Sequence, residues 1–170
     1  MEDERQCVST AYALLARQMR TKQNLKNKLM EKGYPVDTVA KVMSALEEAR
    51  LVDDVIFAEN YILAHRAQHG EFRMRRTLSQ KGVSDEDFNT ALHRVETEEE
   101  PFEKNHAIDL LVRKKCDQIG IDFTKFEADF AYRQKIAAKL MRFLAGRGFG
   151  ADEIRKSLSR VLAQDTFYES

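Results

Sequence analysis

The chain has no tryptophan, two prolines, two cysteines and seven glycines in 170 residues, and its 28 lysines and arginines are cancelled by 28 aspartates and glutamates. Each scarcity excludes something. So little proline and glycine leaves poor material for a fold rich in turns and favours long helices. Cys7 and Cys116 stand alone, without a Cys-x-x-Cys pair, so neither a disulfide framework nor a cysteine zinc site is encoded. Two isolated cysteines fit a reducing compartment, where they serve as small buried hydrophobes. No apolar run approaches the ~20 residues that span a bilayer. The start, Met1-Glu2-Asp3-Glu4-Arg5, lacks the apolar stretch of a signal peptide. The expectation is a cytoplasmic protein with no membrane contact. Zero net charge gives no general attraction to nucleic acid.

The distribution of charge says more than its sum. Residues 96–103 hold five glutamates and no basic residue, whereas 104–163 hold thirteen basic residues against seven acidic ones. A neutral total thus conceals a basic C-terminal half. With a mean hydropathy of -0.53, the surface is well charged.

One pattern recurs three times. It pairs two apolar residues four apart, then a basic residue and a glycine, an apolar residue directly after, and another six past the glycine. The copies are Leu25, Leu29, Lys32-Gly33-Tyr34, Val39; Met74, Leu78, Lys81-Gly82-Val83, Phe88; and Leu140, Leu144, Arg147-Gly148-Phe149, Ile154. Leu46, Val95 and Val161 extend each copy. Recurrence at one spacing marks a helical repeat. The expected fold is all-α, with three tandem three-helix units over 1–52, 53–98 and 99–170, stacked into an elongated, curved body.

In the first unit, Tyr12, Leu15 and Met19 lie at helical spacing. Thr21 is placed to cap the next helix, Gly33 to end it, and Pro35 to start a third with Val39, Val42, Met43 and Leu46 inward. In the second, Asp53 or Asp54 caps a helix presenting Phe57, Tyr61 and Ala64. Gly70 breaks it, and Ser84 caps a helix with Phe88, Ala91, Leu92 and Val95. The acidic stretch 96–103, with Pro101, is the expected hinge. In the third, Ala107, Leu110 and Leu111 mark the first helix. About nineteen extra residues follow, part of which lengthen the second helix, because Phe126, Phe130, Arg133, Ile136 and Leu140 keep a helical period. The end past Val161 is expected to fray.

These residues resemble the RecX family of regulators of the RecA recombinase. The middle unit carries the most specific part: Leu51-Val52-Asp53-Asp54, Phe57-Ala58-Glu59, Gly70, and the basic helix from Met74 to Gly82-Val83. Arg147-Gly148-Phe149 resembles the family's C-terminal unit. Ala49-Arg50 stands where the family usually has a glycine before Leu51, Glu71 where a proline is common, and Gln23-Asn24 where a glutamate often precedes the leucine. The resemblance implies three tandem three-helix units that bind the RecA–DNA filament in its groove. It further implies that they limit filament extension, strand exchange and ATP hydrolysis, and have no catalytic site or cofactor of their own. A monomer acting on the filament, with weak and nonspecific contact to its single-stranded DNA, is the implied mode.

The repeat allows a finer comparison. At 100° per residue, the positions one before and two after the first inward residue of each second helix both face outward. They are Asn24 and Asn27 in the first copy, Arg73 and Arg76 in the second, and Lys139 and Arg142 in the third. Two copies therefore present a basic pair at equivalent places, suited to DNA phosphate or an acidic groove; solvated helix charges are the plain alternative. Arg73, Arg75 and Arg76, and Arg113-Lys114-Lys115, are the densest basic clusters. Arg17 and Arg66 recur at one place before the glycine, with Arg113 equivalent once the insertion is removed, and are expected to hold helices together through their stems.

Enzymatic readings find little. His65 and His69 are four apart, but the intervening Arg-Ala-Gln lacks the glutamate of a zinc-protease helix. No nucleophile motif or Gly-rich phosphate loop occurs. A helix-turn-helix reader of DNA sequence would enter the major groove by its second helix. The helices after Gly82 and Gly148 begin Ser-Asp-Glu-Asp and Gly-Ala-Asp-Glu, which repel phosphate. A nonspecific DNA module and a solenoid-type interaction scaffold stay open as alternatives.

Overall fold

The computed structural model describes residues 2–98 and 101–164, and all regular structure among them is α-helical. The first three helices are α1 (Glu2–Arg17), α2 (Lys22–Glu31) and α3 (Val36–Glu48); the next are α4 (Asp54–His65), α5 (Glu71–Gln80) and α6 (Asp85–Glu98). The remainder are α7 (Pro101–Ile119), α8 (Phe123–Ala128), α9 (Phe130–Ala145) and α10 (Ala151–Gln164). The expected hinge falls partly on residues 99 and 100 and the expected frayed end mostly on 165–170, which lie outside the described residues.

The chain divides into two compact bodies, one of residues 1–62 and 75–95, the other of 63–74 and 96–170. The division cuts through α4 and α5, so the two ends of each of these helices belong to different bodies.

In the first body, Leu25, Leu29, Val39, Val42, Met43 and Leu46 form one buried cluster with Cys7, Ala11 and Val52. Truncating one of the fully buried leucines to alanine costs about 2–5 kcal/mol. Thr21 starts α2 by accepting the Asn24 N–H at 3.1 Å. Gly33 ends it with φ +89°. The Tyr34 N–H reaches back to the Leu29 carbonyl at 3.4 Å, closing the left-handed cap. Asp53 caps α4, accepting from Val55 N at 2.8 Å. Ser84 caps α6, accepting from Asp87 N at 3.0 Å. Arg50 stands in the left-handed region at φ 54°.

The second body buries Ile108, Val112, Cys116, Phe126, Ile136 and Leu140 with Leu144, Phe149, Ile154, Leu158 and Val161. Asp109 on α7 ties α10 down: it accepts from Ser157 Oγ at 2.5 Å, and from Arg160 Nε at 2.8 Å and Nη2 at 2.9 Å.

Two expectations from periodicity are corrected, and a third in part. On α1 the inward face is Cys7 and Ala11, both fully buried, with Leu15 packed against the same cluster, whereas Tyr12 is half exposed and Met19 lies beyond the helix. On α4 it is Asp54, Ala58 and Ile62, with Phe57 and Tyr61 only half-buried and Ala64 exposed. The rotation follows from Asp54, whose Oδ1 must face inward to accept the Lys22 N–H at 2.8 Å. On α7, which runs through Ala107, Leu110 and Leu111 as expected, Ile108, Val112 and Cys116 are buried and Leu111 packs against them. Part of the insertion does lengthen the second helix, α9 having 16 residues against ten in α2 and α5, but Phe126 falls in the separate helix α8. Asp129 accepts from Ala131 N at 2.9 Å and Tyr132 N at 3.1 Å, starting a new helix, and Phe130 is left 68% exposed. The carboxylate cap makes the break tolerable, because it satisfies two N–H groups that a continuous helix would have bonded itself.

Candidate functional site: outward bases and glycine joints

The pairs expected to face outward do so. Asn24, Asn27, Arg73, Arg76, Lys139 and Arg142 are all exposed, while the residues they flank, Leu25, Met74 and Leu140, are buried. The amides of the first copy are engaged locally: Arg20 Nη1 donates to Asn24 Oδ1 at 2.7 Å, and Gln23 Nε2 to Asn27 Oδ1 at 2.7 Å. Arg142 donates to the Ala138 carbonyl of its own helix at 3.2 Å, which leaves its outer nitrogens toward solvent.

Other basic residues are held against the protein. The Arg75 guanidinium lies 4.3 Å from the centroid of buried Phe88. It also meets Asp85 at 3.2 Å and Asn89 at 2.7 Å. Its charge is therefore partly answered at home, unlike that of exposed Arg76. Lys115 sits over Phe143 at 5.0 Å, and Arg147 over the same ring at 4.6 Å. Lys114 is exposed and Arg113 half-buried. Of the recurring arginines, Arg66 and Arg113 are half-buried and engaged, as a packing role requires; Arg17 is exposed, so that role does not extend to it.

His65 and His69 stack with ring centroids 5.9 Å apart. Burial, reinforced by Arg73, His65 and Arg147, holds His69 below the usual histidine range. No group of three or more metal-type ligands occurs among the described residues. None of the helices among them is long and apolar enough to cross a membrane.

Periodicity pointed to the glycine turns only as helix ends. In the first body, the Lys81 carbonyl, just before Gly82, accepts from the Thr21 hydroxyl at 2.6 Å. A Cβ on Gly82 would stand 2.5 Å from Gln23 Cβ. The end of α5 thus meets the start of α2. In the second body, the Arg147 carbonyl accepts from Gly70 N at 2.9 Å and the Gly148 carbonyl from Phe72 N at 3.2 Å. A Cβ on Gly148 would lie 2.5 Å from Arg73 N, and one on Gly70 would collide with the Gly148 carbonyl. The end of α9 meets the start of α5 in the same manner. Carbonyls at the negative end of one helix dipole satisfy donors at the positive end of another. The spacing alone concealed this, since a left-handed cap requires glycine whether or not anything docks on it.

A family model described as "RecX, first three-helix domain" matches residues 7–46. The regulatory protein RecX of Vibrio vulnificus is 33% identical over 90% of this chain and 91% of its own length. The chain belongs to the RecX family. Other RecX relatives agree: that of Clostridium perfringens is 30% identical over 96% of this chain and 71% of its own. The crystal structure of RecX from Lactobacillus salivarius superposes with a TM-score of 0.77 at 20% identity, covering 94% of this chain and 97% of that one. RecX proteins are named as regulatory proteins, and the family is a non-enzymatic one.

Proposed function

We propose that this chain regulates recombination and repair by binding the RecA recombinase–DNA filament and limiting its extension, strand exchange and ATP hydrolysis. Membership of the RecX family supports the regulatory part. The observation that carries the contact is the repetition of an exposed basic pair, Arg73/Arg76 on α5 and Lys139/Arg142 on α9, at equivalent places of a shared pattern. Such pairs suit the phosphates of the filament's single strand or an acidic groove beside it. We read the helices as three units, 1–52, 53–98 and 99–170, of which the last two do most of the gripping. The protein acts as a cytoplasmic monomer without cofactor.

Base-specific reading of duplex DNA is disfavoured by the first turns of α6 and α10, which carry Asp85, Glu86 and Asp87, and Asp152 and Glu153. The test adds the purified protein to preformed RecA–single-stranded DNA filaments and follows DNA-dependent ATP hydrolysis. Suppression well below stoichiometric amounts is expected. Equal binding to naked DNA with no effect on filaments would favour a plain DNA-binding module, and no response in either assay a scaffold for another partner.

A further inference from the structure

Two of the three glycine turns are occupied within the chain, and the third is open. Lys32-Gly33-Tyr34 has the same left-handed form as its counterparts, with φ +89° at Gly33 against +88° at Gly82 and +86° at Gly148. Where Gly82 and Gly148 lie against a helix start, a Cβ added at Gly33 meets nothing within 4 Å. The residues three before and three after the glycine differ as well. The open copy carries Met30, 41% exposed, and Val36, 61% exposed. The occupied copies have Ser79 and Asp85, and Ala145 and Ala151, at those places. Met30 and Val36 thus give the open turn an apolar flank that the two occupied turns lack at the same places.

We propose that the turn between α2 and α3, Lys32-Gly33 flanked by Met30 and Val36, docks on the first turn of a helix in the protein component of the filament. This inference rests on the function proposed above and assigns the protein contact to the first copy, leaving the basic pairs for the acidic one. The occupant's chemistry is given by the two internal joints. It is a helix start offering a hydroxyl like Thr21 or a bare backbone N–H like Gly70, small enough opposite the glycine for backbone to approach backbone. The exposed end of α2 supplies the negative pole of a dipole and the partner's helix start the positive one. A second copy of this chain is a poorer occupant, because its starts of this kind, at Thr21 and Gly70, are already taken by Lys81 and Arg147.

Two variants of the full chain test this. Gly33→Asn keeps a residue that tolerates the left-handed conformation but fills the space opposite it. The double variant Met30→Ser, Val36→Asp installs the second copy's residues and leaves the turn alone. Affinity for immobilised RecA–single-stranded DNA filaments is measured by interferometry, with binding to naked single-stranded DNA and thermal melting alongside. Both variants are expected to lose at least about tenfold in filament affinity. Naked-DNA binding should stay unchanged, and thermal midpoints should lie within about 4 °C of the parent. If Gly33→Asn melts earlier than that, the double variant decides. Filament affinities within about twofold of the parent overturn the proposal. Self-association of the parent, abolished by the same variants, reassigns the turn to a second copy and overturns it too. A parent chain that ignores filaments altogether overturns the functional reading, and the proposal with it.

Discussion

Alanine at each of the three repeat glycines separates the cost of a left-handed turn from the worth of a joint. Gly33, Gly82 and Gly148 share nearly one φ, from +86° to +89°. The conformational penalty of an L side chain there, about 1–2 kcal/mol, is therefore common to all three. The surroundings differ. At Gly33 a Cβ enters open space, so the common penalty is the whole effect. At Gly82 it comes within 2.5 Å of Gln23 Cβ and 3.0 Å of Cγ. That side chain yields in part, and strain on the Thr21–Lys81 bond brings the loss to about 2–3 kcal/mol. At Gly148 the obstruction is backbone, Arg73 N at 2.5 Å, which cannot rotate away. Relief requires opening the bonds from Gly70 N and Phe72 N, each worth about 1–1.5 kcal/mol, for a total of about 3–5 kcal/mol. Urea melts followed by far-UV circular dichroism measure all three, with unchanged slopes confirming a common unfolded state. The expected order of loss is Gly33→Ala, then Gly82→Ala, then Gly148→Ala. Losses within about 0.5 kcal/mol of one another would refute the claim that the joints stabilise the protein.

Reversing the charge of Arg73, Arg76, Lys139 and Arg142 together is expected to weaken filament binding by at least about tenfold, and each lost phosphate contact should flatten the log–log salt dependence by about 0.7–0.9; affinity within twofold of the parent would remove these residues from the interface. Burial raises the Asp54 carboxyl above its ordinary 3.8, so the folded state holds its proton more tightly, and this group's contribution is largest below that value and is lost as pH rises through the folded one. Asp54→Asn keeps an acceptor for Lys22 N and should melt within about 1 kcal/mol of the parent at neutral pH, whereas Asp54→Ala orphans that N–H and should lose about 1–3 kcal/mol; equal losses in urea titrations would sink the distinction. His69, held below the ordinary 6.5, contributes stability that is present above that value and is lost as pH falls toward the folded one. His69→Gln should therefore flatten the decline in stability just below neutrality, and an unaltered pH profile would contradict it. Arg50→Gly should raise stability by up to about 1 kcal/mol, because relief of the left-handed residue exceeds the added freedom of the unfolded chain; a lower melting midpoint would count against strain at φ 54°.

Much of the fold was legible from spacing, and what was missed has a physical pattern. Leu25, Leu29, Met74, Leu78, Leu140 and Leu144 are all buried, as the repeat required. Periodicity failed where the inward residue was small or polar. Cys7 and Ala11 carry less weight than Tyr12 in a hydrophobic pattern, yet they alone fit fully inside on α1. Asp54 reads as a surface cap until its partner on α2 is known. The break at Asp129 was hidden because Phe126 and Ile136 face the same core from two separate helices. The outward placement of the basic pairs followed from helix geometry alone. That Arg75 folds onto Phe88 while Arg76 does not is a matter of tertiary neighbours. The joints were invisible for a different reason: their acceptors are backbone carbonyls, which every residue possesses, and of their donors only the Thr21 hydroxyl is a side chain.

Those joints also fix where an incomplete chain would show its damage. The Thr21 hydroxyl finds its acceptor 60 residues further along, and the Gln68 carbonyl receives Arg147 from 79 residues away. A ribosome moving from the N-terminus therefore releases the starts of α2 and α5 long before the turns that meet them. Translation stopping short of residue 147 would leave its scar at residues 68–73, in the middle of a finished segment. Proteolytic sensitivity of a nascent or truncated product should accordingly concentrate there, well upstream of the point at which synthesis ceased.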